Sequence, residues 1–181
     1  MENHIKRLAE DIKRKKELQD LDSRFIEYHI TRYLHANPKS VPFIEKQTTG
    51  KPSKEYKQII KDLRKVLRRF HGLFQIDSKK GDMQVLFEML DEIKSFDDLR
   101  NVAGQLLSIH ASTQERLQIY KQLYHEIFGI TGVPSRILDL GCGLNPASIV
   151  FMNILEKKCS YYAYDINVKE KQLLARFFEQ A

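Results

Sequence analysis

Ile137-Leu138-Asp139-Leu140-Gly141-Cys142-Gly143-Leu144-Asn145-Pro146 is an apolar run that ends in an acid and breaks into a Gly-x-Gly turn. A second, aromatic-rich run, Tyr161-Tyr162-Ala163-Tyr164, ends in Asp165. Together they read as the first two strands of a nucleotide-binding α/β sheet. Glycines let the backbone come close to a ligand, and an acid at the end of the second strand can hydrogen-bond ribose hydroxyls. The expected strands are Arg136 to Leu140 and Cys159 to Tyr164. Between them Asn145 should cap a helix with Pro146 at its first position, and a last helix should cover Val168 to Phe178. The chain ends at Ala181, so it holds the opening of such a sheet and not its remaining strands.

Upstream of Gly132-Val133-Pro134 the apolar spacing is helical and no strand is expected. Residues 1–20 read as a charged helix with Ile5, Leu8 and Ile12 on one side. A second helix starts at Asp22 or Ser23 and ends before Asn37-Pro38. The proline- and threonine-bearing stretch Asn37 to Ser53 reads as a loop, and a third helix covers Lys54 to Phe70, closed by Gly72. After a polar turn at Asp77 to Gly81, helices are expected over Met83 to Ile93 and from a Ser95/Asp98 capping box to Leu107. Ser112-Thr113-Gln114-Glu115 signals one more, closed by Gly129. The architecture is thus an all-helical domain, 1–108, followed by the start of an α/β domain, 109–181.

The formal net charge is +6. Most of it lies between Lys54 and His71, where Lys54, Lys57, Lys61, Arg64, Lys65, Arg68 and Arg69 face only Glu55 and Asp62. Lys57, Lys61, Arg64 and Arg68 recur at helical spacing and should line the face opposite the buried one. With Lys65 they are candidates for contacting successive phosphates of a nucleic acid, against the plainer reading of a solvated helix face. Phe70, His71 and Phe74 read as packing residues, not as base-stacking platforms. The two cysteines, Cys142 and Cys159, fit a reducing compartment and have no metal-ligand spacing. No run is long enough to span a membrane, and the charged N-terminus is not a secretory signal, so a cytoplasmic location is expected with no metal and no membrane partner.

Gly-x-Gly alone is a weak signal. A dinucleotide fingerprint needs a third glycine where this chain has Pro146, which disfavours a nicotinamide site. The Leu-Asp-Leu-Gly-Cys-Gly form resembles instead the S-adenosylmethionine site of class I (Rossmann-like) methyltransferases. Upstream, Ile109-His110-Ala111-Ser112-Thr113-Gln114-Glu115-Arg116, then Tyr120, Tyr124 and Ile127-Phe128-Gly129, precede the turn. Together with Gly-Cys-Gly-Leu-Asn-Pro and Ala163-Tyr164-Asp165-Ile166, this order is similar to the aminoglycoside-resistance 16S ribosomal RNA (guanine-N7) methyltransferases. The close match covers about Ile109 to Ile166.

The resemblance implies S-adenosylmethionine as cofactor, with contacts from Arg116, Gly141, Cys142, Gly143, Asn145, Asp165 and Ile166. In that reading the glycine turn passes under the cofactor, Asp165 takes the ribose and Arg116 pairs with the methionine carboxylate. The plainer readings are a solvated arginine at 116, a helix-capping acid at 165 and an N-cap at 145. The resemblance also implies a helical domain that docks on 16S rRNA in the 30S subunit. No nucleophile–base triad or carboxylate pair can be picked out, and attack by guanine N7 needs none.

Two departures stand out. The family commonly runs Leu-Ala-Leu-Pro-Trp-Met after the Asn-Pro, where this chain has Ala147-Ser148-Ile149-Val150-Phe151-Met152. The sheet is also C-terminally incomplete. The chain is therefore read as a fragment or truncated form of a full methyltransferase, against two alternatives: one half of a split enzyme completed by another chain, or a non-catalytic RNA- or ribosome-binding protein. A methyltransferase acting on a small molecule is disfavoured by the basic helix. Apolar residues such as Ile137 to Leu140 should be left exposed by a two-stranded sheet.

Overall fold

The computed structural model describes residues 1–47, 50–71, 82–155 and 159–181. They pack as two compact units, Met1–Leu73 and Phe74–Ala181. Gly72, Phe74 and the polar turn at 77–81 lie outside the described residues. Among those described, no helix is long and apolar enough to cross a membrane.

The first unit holds α1 (Glu2–Lys13), α2 (Ser23–Ala36), α3 (Val41–Glu45) and α4 (Lys54–His71). The first helix is shorter than its charge pattern suggests. Lys15 is extended, and a 3₁₀ turn at Lys16–Leu18 follows. Leu18 would sit roughly 120° around a continuous helix from Ile12, and the break lets both become fully buried. Asp22 caps α2, its carboxylate accepting the Arg24 amide at 2.9 Å. The stretch expected as a loop contains a 3₁₀ turn, Pro38–Ser40, and α3. Pro38 and Pro42 sit in the first positions of these turns, where a missing N–H costs nothing, and Ile44 anchors α3 in the core. The stripe Tyr56, Ile59, Leu63 and Leu67 buries one side of α4.

The second unit runs α5 (Asp82–Asp91), α6 (Phe96–Leu107), α7 (Ala111–Gln114), α8 (Tyr120–Thr131), β1 (Arg136–Leu140), a 3₁₀ segment Asn145–Phe151, β2 (Ser160–Tyr164) and α9 (Val168–Gln180). The capping box of α6 is present, with Ser95 Oγ accepting the Asp98 amide and donating to its carboxylate. Leu99, Val102, Ala103 and Leu106 of α6 share one core with Ala147, Val150, Leu173 and Phe177. Helices 82–107 therefore pack with the sheet, and the compact units divide earlier than the 108/109 boundary drawn from the motifs. The single helix expected across 112–129 is two, with a turn at 115–119 between α7 and α8. Gly129 is inside α8, and the stop is Gly132, at φ +71°.

β1 and β2 pair in parallel, with Leu138 opposite Tyr162 and Leu140 opposite Tyr164. Period two puts Ile137, Asp139 and Tyr161 toward the packed side. The other face is uncovered: Leu138 is 63% and Leu140 70% exposed, beside exposed Tyr162 and Tyr164.

Candidate functional site

The turn after β1 is stitched to the end of β2, because the amides of Gly141 and Cys142 both donate to the Tyr164 carbonyl, at 2.8 and 3.2 Å. Gly141 (φ +67°) and Gly143 (φ +50°) take the left-handed conformation that other residues avoid. A Cβ on Gly141 would meet nothing within 4 Å, so the backbone there faces open space. On Gly143 it would lie 2.8 Å from His110 Nδ1. The Gly143 amide donates to Asp165 Oδ2 at 2.8 Å and the Asn167 amide to Oδ1 at 2.9 Å. Each carboxylate oxygen keeps a further lone pair for an outside donor such as a ribose diol. Gly141, Cys142, Gly143, Asp165 and half-buried Ile166 thus come together at the carboxyl ends of the strands. Burial, and then Asp165 and Asp139, push the Cys142 thiol up to about 12, so it packs as a neutral group.

Asn145 does not cap the helix after the turn. That segment is 3₁₀, with Leu144 at its cap position. The Asn145 side chain instead donates to Asp139 Oδ2 at 2.9 Å and accepts from Tyr120 Oη at 3.0 Å. Tyr161 Oη donates to the same Asp139 oxygen at 2.7 Å. Burial and this acceptor push the Tyr161 hydroxyl well above the usual phenol range, so it remains a donor. Burial likewise pushes Tyr120 up to about 12. Asp139, Tyr120 and Tyr161 were not among the sequence candidates; the available signal was an acid inside an apolar strand, which requires buried donors around it.

Arg116 lies in the turn between α7 and α8, half-buried. Its Nε donates to the Ser112 carbonyl at 2.7 Å, and its guanidinium sits 5.6 Å from the Tyr120 ring centroid. Through Tyr120 it is joined to Asn145 and Asp139, on the side of the turn.

The basic stripe of α4 divides into two groups. Lys57, Lys61 and Lys65 are exposed. Arg64 and Arg68 are used internally: Arg64 donates to the carbonyls of Asp11 and Ile12 at 2.6 and 3.3 Å, and Arg68 pairs with Glu17 at 2.8 Å. Lys57, Lys61 and Arg68 lie on the exposed side of α4, as the spacing suggests, whereas Arg64 borders the buried face, follows the fully packed Leu63 and reaches the last turn of α1. Phe70, expected to pack, is half-exposed at the edge of a ring cluster with Phe25 and His29.

A parallel strand–turn–strand with its acid at the second strand end, carried on this helical frame, places the second unit at the beginning of a class I methyltransferase fold. The model of one family, ribosomal RNA methyltransferase (FmrO), matches residues 29–180, and the chain belongs to that family. It is 32% identical over 120 residues to a 16S rRNA (guanine(1405)-N(7))-methyltransferase of Proteus mirabilis, covering 61% of this chain and 43% of that protein. With the enzyme of the same name from Micromonospora echinospora the identity is 26% over 140 residues, 76% of this chain and 51% of the relative. Among solved structures it resembles the 16S rRNA methylase RmtB (TM-score 0.66, 22% identity, 97% of this chain and 60% of that one). It also resembles the 16S rRNA methyltransferase RmtF solved with S-adenosyl-L-homocysteine (TM-score 0.65, 20% identity, 99% and 60%). The chain spans about half the length of the curated relatives it matches.

Proposed function

We propose that this chain carries the rRNA-docking helices and the first part of the S-adenosylmethionine site of a 16S rRNA methyltransferase acting at guanine N7. The observation that carries the reading is the Asp165 carboxylate, held by the Gly143 and Asn167 amides beside the open backbone of Gly141. These residues fit the cofactor: the Gly141 backbone lets it approach, Asp165 offers acceptors for a ribose diol, and Arg116 supplies a guanidinium for its carboxylate. S-adenosylmethionine, when bound, supplies an electrophilic methyl group. Guanine N7 carries a free lone pair at neutral pH, so the protein's task is to position and desolvate, and no side chain has to remove a proton. On the RNA side, Lys57, Lys61 and Lys65 contact backbone phosphates of the small subunit, giving affinity without sequence reading.

Calorimetric titration with S-adenosylhomocysteine tests the cofactor half. Saturable one-to-one binding is expected, weakened roughly a hundredfold by Asp165→Ala, which removes two charge-assisted bonds. A folded chain that takes up no S-adenosylhomocysteine would refute this half. For the RNA half, changing Lys57, Lys61 and Lys65 to Glu should weaken binding to 30S subunits severalfold or more and reduce the slope of log K against log salt by roughly two. Unchanged binding would remove α4 from the interface. A second reading, an RNA-binding protein without transfer activity, rests on the exposed Lys57, Lys61 and Lys65 of α4, which need no cofactor to hold a phosphate backbone. Methyl transfer to 30S subunits, absent even when RNA binds, is its signature.

A further inference from the structure

His110 and Glu170 are 7% and 4% exposed and face each other, Nε2 to Oε1, at 3.0 Å. Neither takes part in the contacts proposed above. His110 precedes α7, and Glu170 lies in the first turn of α9. Buried Asn167 joins them: its Nδ2 donates to the same Glu170 oxygen at 2.9 Å, and its Oδ1 accepts the Glu170 amide at 3.2 Å. The Asn167 amide in turn donates to Asp165, whose other oxygen accepts the Gly143 amide. Gly143 closes the circuit, because its α-carbon lies against the imidazole, with no room for a Cβ beside Nδ1.

We propose that His110 and Glu170 are a positioning pair for the glycine turn. The ring, pinned by Glu170, sets Gly143, and through Asn167 the pair aims the Asp165 carboxylate, so the order of the turn follows the proton on His110. The inference rests on reading this turn as the cofactor site. A buried carboxylate is tolerated where it is paired and hydrogen-bonded, and losing one partner leaves the other uncompensated, so the circuit responds as a whole.

Burial pulls the His110 pKa down, but the Glu170 hydrogen bond and charge, with Asp165 behind them, leave it above the usual 6.5. The pair's contribution is then complete below the unfolded value and is lost as pH rises through the raised one. Among the described residues, the titratable groups acting on the ring are Glu170 from α9 and Asp165 from the end of β2. Cys142, held near 12, stays neutral throughout.

The test is amide hydrogen exchange at Gly143 and Asn167 in the full chain from about pH 6 to 9, corrected for intrinsic rates and referred to Ala103 in α6. Protection at Gly143 should fall roughly tenfold as His110 loses its proton while Ala103 holds, and Glu170→Gln should shift that step to lower pH. His110→Gln should remove it. Protection that is flat with pH in the unaltered protein overturns the proposal, and that measurement decides even where a variant does not fold. S-adenosylhomocysteine titration at both ends of the range separates the two readings. A pH step in protection with no binding at either end leaves the positioning pair standing and refutes the cofactor site. Binding that ignores pH, with flat protection, does the reverse.

Discussion

Gly143→Ala should destabilise the second unit by about 3 kcal/mol and disorder the turn after β1, measured by urea unfolding and by loss of the Gly143–Asp165 hydrogen bond. Two costs combine. At φ +50° an alanine is strained by roughly 1–2 kcal/mol. Its methyl would also lie 2.8 Å from His110 Nδ1, on a ring that cannot retreat without breaking its bond to Glu170. Gly141→Ala is the internal control. It has a similar φ, +67°, but its Cβ would point into open space, so only the strain, about 1 kcal/mol, is expected. Its larger effect should fall on S-adenosylhomocysteine affinity, because the methyl would occupy the surface offered to the ligand. Equal stability losses at the two glycines would show that His110 does not constrain the turn.

Asp139→Ala is the second large effect, with an expected loss of about 3 kcal/mol in the same unfolding measurement. Asp139 Oδ2 accepts from both Asn145 and Tyr161, and through Asn145 it reaches Tyr120. Removing the carboxylate leaves a phenol and an amide without acceptors in a packed region. That costs more than the same bonds contribute when both partners are removed together. Tyr161→Phe should therefore cost only about 1 kcal/mol, and the double variant Asp139→Ala/Tyr161→Phe less than the two singles added. Strict additivity would mean that the two groups do not share their bond in solution. Because Arg116 rests on the Tyr120 ring, Asp139→Ala should also loosen Arg116.

Much of this molecule was legible from local chemistry. The bounds of β1, the Asp22 and Ser95 caps and the positive-φ glycines follow from residue types whose preferences act over a few positions. The errors were also local in origin. The stretch Asn37 to Ser53 reads as a loop although Pro38 and Pro42 open short turns in it, Gly129 reads as a stop although α8 continues to Thr131, and Asn145 reads as a cap although Leu144 holds that position. In each case one residue type serves two roles, and the choice depends on what packs beside it. The same holds for the basic stripe: seven cations on α4 can be counted from the chain, but the order of residues does not show that Arg64 bonds the end of α1 and Arg68 bonds Glu17.

The amino-acid sequence by itself carried the family resemblance, in the order of its motifs, and determined the start of the parallel sheet and the residues at its strand ends, because periodicity and glycine conformation are properties of short segments. Only the tertiary structure decided that α5 and α6 join the sheet's core, that Asp139 organises Asn145, Tyr120 and Tyr161, and that His110 meets Glu170 behind Gly143. The His110–Glu170 pairing alone joins residues sixty positions apart. Burial selects them: once buried, each donor and charge must find a partner, and which partner is near is set by how the helices pack around the strands.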